Sequence, residues 1–283
     1  MKQNIIKVAL LGLLTTAAVS QAAYITNFDS SVATDGGANF ATGNPLRQDG
    51  WSINDTTNVG VSFLLNKSGG GQLLALGGYL NPPTLRNVNL TRAVYEPANT
   101  SIVNISYGLV NSRAPFDEES PFPDTFYAYD DSFGFTFSDN SGPLLTIGIG
   151  PTSPTPVEEK RQIFVTELGG TPTGLEPDGI APSDYSSIGL FNLRIKFGVS
   201  GSDLTYTGSA DQTHGKINFS GVLPGKAGSM IEQVGINFRS TNPDGADFSG
   251  SNFLVVDSIS IPEPSAAMTG MFALGLFGLR RRR

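Results

Sequence analysis

Carboxylates, a single histidine and a run of aromatics are the residues of this 283-residue chain with chemistry to offer. Hydrolysis of a glycosidic bond needs two carboxyl groups facing one another across the sugar, about 5–5.5 Å apart for retention. A Glu-x-Asp-x-x-Glu strand would aim such groups into one cleft. Glu176-Pro177-Asp178 begins that spacing, but Ala181 stands where the last carboxylate belongs, and Pro177, Gly179 and Pro182 turn the segment into a loop. Glu118-Glu119 and Glu158-Glu159 are adjacent pairs whose side chains diverge on a strand, so neither makes an acid/base couple. His214 lies in the turn-like Asp211-Gln212-Thr213-His214-Gly215, and no Gly-x-Ser-x-Gly elbow accompanies it. With one histidine and no cysteine, ordinary zinc sites and thiolate nucleophiles are excluded. No catalytic residue is assigned, and the chain is not expected to be an enzyme.

Binding chemistry has more material. The stretch Asn111 to Asp130 interleaves Asp117, Glu118, Glu119, Asp124 and Asp130 with Phe116, Phe122, Phe126, Tyr127 and Tyr129. Acids and aromatics on a long loop suit calcium chelation or stacking on sugar rings, and equally suit a solvated loop pinned by its aromatics. Tyr127, Tyr129 and Trp51 are the candidate sugar platforms, although a lone tryptophan such as Trp51 is more often a core or edge anchor. No Asp-x-Asp-x-Asp-Gly loop occurs. A structural calcium, with Asp130, Asp131 and Asp257 as candidate ligands from separate segments, is the one ion the sequence suggests; no other cofactor is expected.

The elements that must position these residues are strands. Phe191, Leu193, Ile195, Phe197 and Val199 alternate with Asn192, Arg194, Lys196 and Gly198, and Phe133, Phe135 and Phe137 alternate with Gly134, Thr136 and Ser138. A period of two means one face buried and one wet. Further strands are predicted at Tyr24–Phe28, Val59–Leu65, Leu73–Leu76, Val88–Val94, Ser101–Val110, Leu144–Ile149, Gln162–Glu167, Leu204–Thr207, Lys216–Leu223, Gln233–Phe238 and Asn252–Ile261. Gly and Pro break every helical window of the body. The fold class is therefore all-β, an antiparallel β-sandwich. A jelly roll of the concanavalin or laminin-G kind is favoured because Phe253–Ile261 can return beside Tyr24–Phe28. Gly150–Lys160 and Leu168–Ser186 read as exposed connections.

Composition bounds the partners. Residues 1–22 read as a secretory signal peptide, with Lys2 and Lys7 ahead of the apolar run Val8–Val19 and cleavage after Ala22, or after Ala23 as the alternative. Zero cysteines in an exported chain leave burial alone to hold the body. Setting aside Lys2, Lys7 and Arg280 to Arg283 from the 18 basic residues, and Glu263 from the 25 acidic ones, leaves 12 against 24, a net charge of −12. Nucleic acid and anionic membrane surfaces are poor partners for that balance, and neutral glycans or divalent cations fit it better.

Residues 261–283 stand apart from the body. Pro262-Glu263-Pro264 cannot join a ladder, because each proline lacks an N–H and extends its predecessor. Ser265 to Leu279 then run without a charge, and Arg280, Arg281, Arg282 and Arg283 close the sequence. As a helix the uncharged run is roughly 22 Å long, short of the roughly 30 Å hydrocarbon core, so it spans only with snorkelling arginines and a thinned bilayer. The arginines then stay cytoplasmic and the body lies across the membrane. Ile261-Pro-Glu-Pro-Ser265, a short apolar helix and a terminal Arg cluster resemble the PEP-CTERM sorting signal of Gram-negative bacteria, with Ile261 where that family more often has Val.

The resemblance covers only this tail. It implies export through the secretion machinery and signal peptidase, an inner-membrane-anchored intermediate, recognition by an exosortase-type processing protease near Pro262, Glu263 and Pro264, and delivery to the cell surface or extracellular matrix. The expected organisation is signal peptide 1–22, β-sandwich 23–260 and sorting signal 261–283. The leading expectation is a non-enzymatic structural or adhesive component of an exopolysaccharide or biofilm matrix. The alternative is a lectin-like carbohydrate-binding module, and a glycan-active hydrolase comes third.

Overall fold

The computed structural model describes residues 24–26, 28, 50–55, 62–66, 72–77, 86–111, 132–151, 161–175, 191–212, 215–240 and 252–261. The strands are β1 (Tyr24–Thr26), β2 (Ser52–Asp55), β3 (Ser62–Asn66), β4 (Gln72–Gly77), β5 (Arg86–Pro97), β6 (Ile102–Asn111), β7 (Ser132–Asp139) and β8 (Gly142–Pro151). They continue with β9 (Arg161–Glu167), β10 (Thr173–Gly174), β11 (Phe191–Ser200), β12 (Asp203–Gln212), β13 (Gly215–Leu223), β14 (Met230–Ser240) and β15 (Asn252–Ile261). One 3-10 turn, Ala98–Thr100, links β5 to β6.

These strands form two antiparallel sheets. The eight-stranded sheet runs β13-β12-β11-β6-β15-β4-β3, with β1 beside β15; the seven-stranded sheet runs β10-β9-β8-β7-β14-β5-β2. Alternation decides which side chains meet between them. Phe191, Leu193, Ile195 and Phe197 of β11 are buried while Asn192, Arg194 and Lys196 are exposed. Across the interior, Phe137 of β7 meets Phe197 of β11 edge-on at 6.2 Å, and Tyr107 of β6 meets Phe135 of β7 at 5.7 Å. Within the seven-stranded sheet Phe133 stacks on Phe238 at 5.0 Å. Offset and edge geometries suit the ring quadrupole and add to the burial of large apolar area.

The expected return of the last strand holds. Tyr24 pairs with Ile261, Ile25 with Ser260 and Thr26 with Ile259. The first strand ends earlier than the Tyr24–Phe28 expectation: Phe28 is fully buried with φ of 55°, a left-handed conformation outside regular strand pairing. Two strands were not predicted. The edge strand β2 has only four residues, and β10 joins β9 through Thr173 and Gly174 alone, inside the segment read as a connection. Neither is long enough to show a period. β12 runs to Gln212, past the expected Thr207, because Gly208 and Ser209 are paired with neighbours on both sides and Asp211 with Lys216 of β13, despite weak strand propensity.

Among the described residues no helix is long and apolar enough to cross a membrane. The segment expected to do so, 265–279, lies outside the described residues, as do the signal peptide with Ala22, the Pro262-Glu263-Pro264 motif and Arg280 to Arg283.

Phe137 is fully buried at the contact between the sheets. Phe137→Ala is expected to cost about 3–5 kcal/mol, and Thr207→Ala on the outer face about 0.5 kcal/mol or less. The check is a denaturant titration followed by the fluorescence of Trp51, the chain's one tryptophan. Equal midpoints for the two variants would refute the inter-sheet assignment of Phe137.

Candidate functional site

Of the expected ligand-binding set only Trp51 lies among the described residues, and it is buried. Its ring is 2% exposed and packs on Phe28 at 5.9 Å, with its Nε1–H buried and unpaired. A sugar platform needs an open ring face, so the role of Trp51 is corrected to that of a core anchor. Tyr127, Tyr129, Asp130 and Asp131 lie outside the described residues, as do the carboxylate pairs and His214. Asp257 is described, half-buried at a bulge in β15 where the register against β6 shifts between Val256 and Ser258. Among the described residues no group of three or more Asp, Glu, His or Cys is arranged to hold a metal ion.

The described surface offers a different site, on the outer face of the eight-stranded sheet. An open groove of about 580 Å³ is lined by Arg194 and Lys196 of β11, Thr207 and Ser209 of β12, and Asn218 and Ser220 of β13. Pairing sets these side chains in rows: Arg194 opposes Ser209, which opposes Asn218, and Lys196 opposes Thr207, which opposes Ser220. Period two turns all six to the same side, because their sequence neighbours Ile195, Tyr206 and Phe219 are buried on the other. On the inner face beneath the groove, Gly208 lets the Phe219 ring lie against β12, since a Cβ there would strike that ring and lie 2.8 Å from the Arg194 carbonyl oxygen. The arrangement offers hydroxyls, an amide and two cations on rigid strands, which is hydrogen-bonding chemistry for a polar ligand and contains no acid/base couple.

Beside the groove, Asp211 accepts hydrogen bonds from Asn192 at 3.1 Å and pairs with Lys216 at 3.3 Å. Burial would raise its carboxyl, but these two partners outweigh that and hold it below the usual carboxylate range.

Two polar clasps close the rims of the sandwich, the first between the two sheets and the second between β7 and the connection from β13 to β14. In the first, the Tyr206 hydroxyl donates to Glu167 Oε1 at 2.6 Å, from β12 of one sheet to β9 of the other. Burial and the adjacent carboxylate both push the Tyr206 phenol above its ordinary range, so it remains a donor. In the second, Asp139 at the end of β7 accepts from Lys226 Nζ at 2.8 Å, Ser229 Oγ at 2.9 Å, and Ser141 through its N–H at 2.8 Å and its Oγ at 2.6 Å. Burial alone would raise this carboxyl, yet four donors more than offset it and hold it well below the carboxylate range. Both arrangements draw their partners from within the chain and are structural.

Sequence pattern did not mark Tyr95. It is 57% exposed with φ of 58°, and sits in β5 where the register against β14 shifts between Ile231 and Gln233. The structure thus exposes an aromatic at a bulge and buries Trp51, one of the three the sequence singled out.

No protein-family model matches the sequence, and no curated protein matches it. Solved structures resemble it distantly. The exoplasmic/lumenal domain of VIP36 in its Ca2+/Man2-bound form is 11% identical, with a TM-score of 0.46 over 85% of this chain and 87% of that one. A lectin from Bauhinia forficata in complex with GalNAc is 10% identical, with a TM-score of 0.42 over 79% of this chain and 96% of that one. An alginate lyase from Klebsiella pneumoniae is 10% identical, with a TM-score of 0.37 over 71% of this chain and 82% of that one. Sugar-binding domains and an enzyme stand side by side at this distance, so the ligand has to be argued from the residues themselves.

The Asp139 clasp has a pH signature. Its carboxyl is depressed in the folded state, so its stabilisation is present above the unfolded value of about 3.8 and fades as pH falls below it. Asp139→Asn is expected to cost about 1.5–3 kcal/mol at neutral pH and to shrink the loss of stability between neutral pH and the acid limb. Unfolding curves at neutral pH and near pH 3 read both effects; an unchanged acid limb would show that Asp139 is not the titrating group.

Proposed function

We propose that this chain is an exported, non-catalytic carbohydrate-binding domain of jelly-roll type that holds extracellular polysaccharide at the cell surface or in the matrix. The observation that carries this reading is the open groove of about 580 Å³ on β11, β12 and β13, whose lining is hydroxyl, amide and cationic side chains on paired strands. Polysaccharides are long, flat and dense in hydroxyls. A rigid sheet face with regularly spaced donors and acceptors meets such a ligand without ordering a loop, which lowers the entropic cost of binding. The adhesive role follows from the same surface, since a domain that grips polymer and is attached to the cell joins one to the other.

Delivery rests on the tail. The reading is a sorting signal of the PEP-CTERM kind, processed near Pro262-Glu263-Pro264. The pairing of Tyr24 with Ile261 supports it: the strand that follows the expected signal-peptide cut and the strand that precedes the motif are neighbours, so both processed segments attach at the same end of the sandwich.

Two measurements test the two parts. The full-length chain, purified in a detergent without a sugar headgroup, is expected to bind members of a panel of neutral and acidic polysaccharides. Removing two groove groups, Ser209→Ala with Asn218→Ala, should weaken that binding roughly tenfold. Absence of binding across the panel would overturn the carbohydrate reading. Mass spectrometry of the native protein is expected to give a mature chain starting near Ala23 and ending near Pro262-Glu263-Pro264; a chain still carrying Arg280 to Arg283 would overturn the sorting reading.

A further inference from the structure

The groove carries the opposite charge to the body around it. The region between the expected processing sites has twice as many acidic as basic residues, yet the charged side chains that line the groove are Arg194 and Lys196. Both are exposed, and among the described residues neither makes a hydrogen bond or an ion pair. They stand two positions apart on the same face of β11, which separates their Cα atoms by about 6.6–6.8 Å. Their cross-strand neighbours are neutral: Ser209 and Asn104 flank Arg194, and Thr207 and Ile102 flank Lys196. Asp211, the acid that faces this surface from β12, is engaged by Asn192 and Lys216.

Folding alone does not call for this arrangement. Opposite charges placed across strands stabilise a sheet, and neither cation has one, since the residues opposite Arg194 and Lys196 are neutral. Cations that protect against strand addition belong on edge strands, where β13 already carries Lys216, whereas β11 lies inside the sheet between β12 and β6. An unneutralised pair on an interior strand, walled by hydroxyls and an amide, has the form of a receptor for fixed negative charge on a hydroxylated ligand.

We infer that the groove binds a carboxylated polysaccharide, a chain of uronic acid type, with Arg194 and Lys196 each taking a carboxylate. This rests on the carbohydrate-binding reading above and narrows its ligand from polysaccharides at large to anionic ones. The Arg194 guanidinium suits a carboxylate because its planar fork donates two parallel N–H bonds, while Lys196 contributes a point charge. Thr207, Ser209, Asn218 and Ser220 are left to serve the ring hydroxyls. The acidic remainder of the molecule repels the same polymer, so binding is confined to this face and is sensitive to salt.

The experiment measures binding of the full-length chain, in the same detergent, to a soluble polyuronate, a neutral glucan, a sulfated glycan and polyglutamate at low and physiological ionic strength. Polyuronate is expected to bind best and to weaken with salt. Arg194→Gln and Lys196→Gln should each weaken it roughly tenfold and flatten its salt dependence, and Arg194→Lys should lose affinity while keeping the salt dependence. Both side chains are exposed, and an unchanged Trp51 emission confirms that each variant is folded. Binding of the neutral glucan alone, indifferent to these substitutions, would overturn the inference and leave the carbohydrate reading standing. Preference for the sulfated glycan would overturn the carboxylate assignment, and equal binding of polyglutamate would reduce the groove to a plain ion exchanger. Failure of every glycan would remove both readings.

Discussion

Apolar contact between two sheets is what every other feature of this protein depends on. With no cysteine in the chain, no covalent staple limits the unfolded state. The interior must therefore be continuous, and it is: Phe137 against Phe197 and Tyr107 against Phe135 bridge the sheets, and Phe133 against Phe238 extends the contact along one of them. The polar groups that reach the rims of this interior are answered from within the chain. Glu167 takes the Tyr206 hydroxyl, and Asp139 takes Lys226, Ser141 and Ser229. A carboxylate left unanswered at either rim would oppose the burial that holds the sheets together.

Once the inner faces carry the stability, the outer faces are released from it. Strand β11 shows the division within one element: Phe191, Leu193, Ile195 and Phe197 serve the core, and Asn192, Arg194 and Lys196 face water. Because outward positions contribute little to folding, their chemistry can be set by what the surface meets. On the proposed reading, net charge is also a poor guide to the ligand. Acidity summed over the body points toward neutral partners, but charges separated by more than about 8 Å of physiological solution are largely screened. A ligand in the groove experiences Arg194 and Lys196 far more than it experiences the average.

The ends of the domain obey the same logic. Strand β15 lies between β6 and β4 and also receives β1, so the C-terminal strand of the body is a central element of the eight-stranded sheet. Whatever follows Ile261 leaves from a strand anchored on both sides. A pull on that end is thereby resisted by many backbone hydrogen bonds at once.

What the sequence determined by itself was the set of long strands and their buried faces. Alternation at Phe133–Phe137 and Phe191–Val199 is a local property, and a period of two leaves no choice about which side chains share a side. The return of Phe253–Ile261 to Tyr24 was legible for a related reason, since a closed sandwich must place its final strand somewhere in a sheet. What only the tertiary structure decided was which strands became neighbours, and hence every property that requires two strands. β2 and β10 exist because longer strands offered them an edge. Trp51 was free to be platform or anchor until Phe28, more than twenty residues away, covered it. Arg194 and Lys196 were visible as the wet half of a strand, but they form a site because Asn104, Thr207, Ser209 and Asn218 were brought alongside from distant segments. The physical reason is one of range: a face is set by backbone geometry within one strand, whereas a site is set by hydrogen-bonded register between strands.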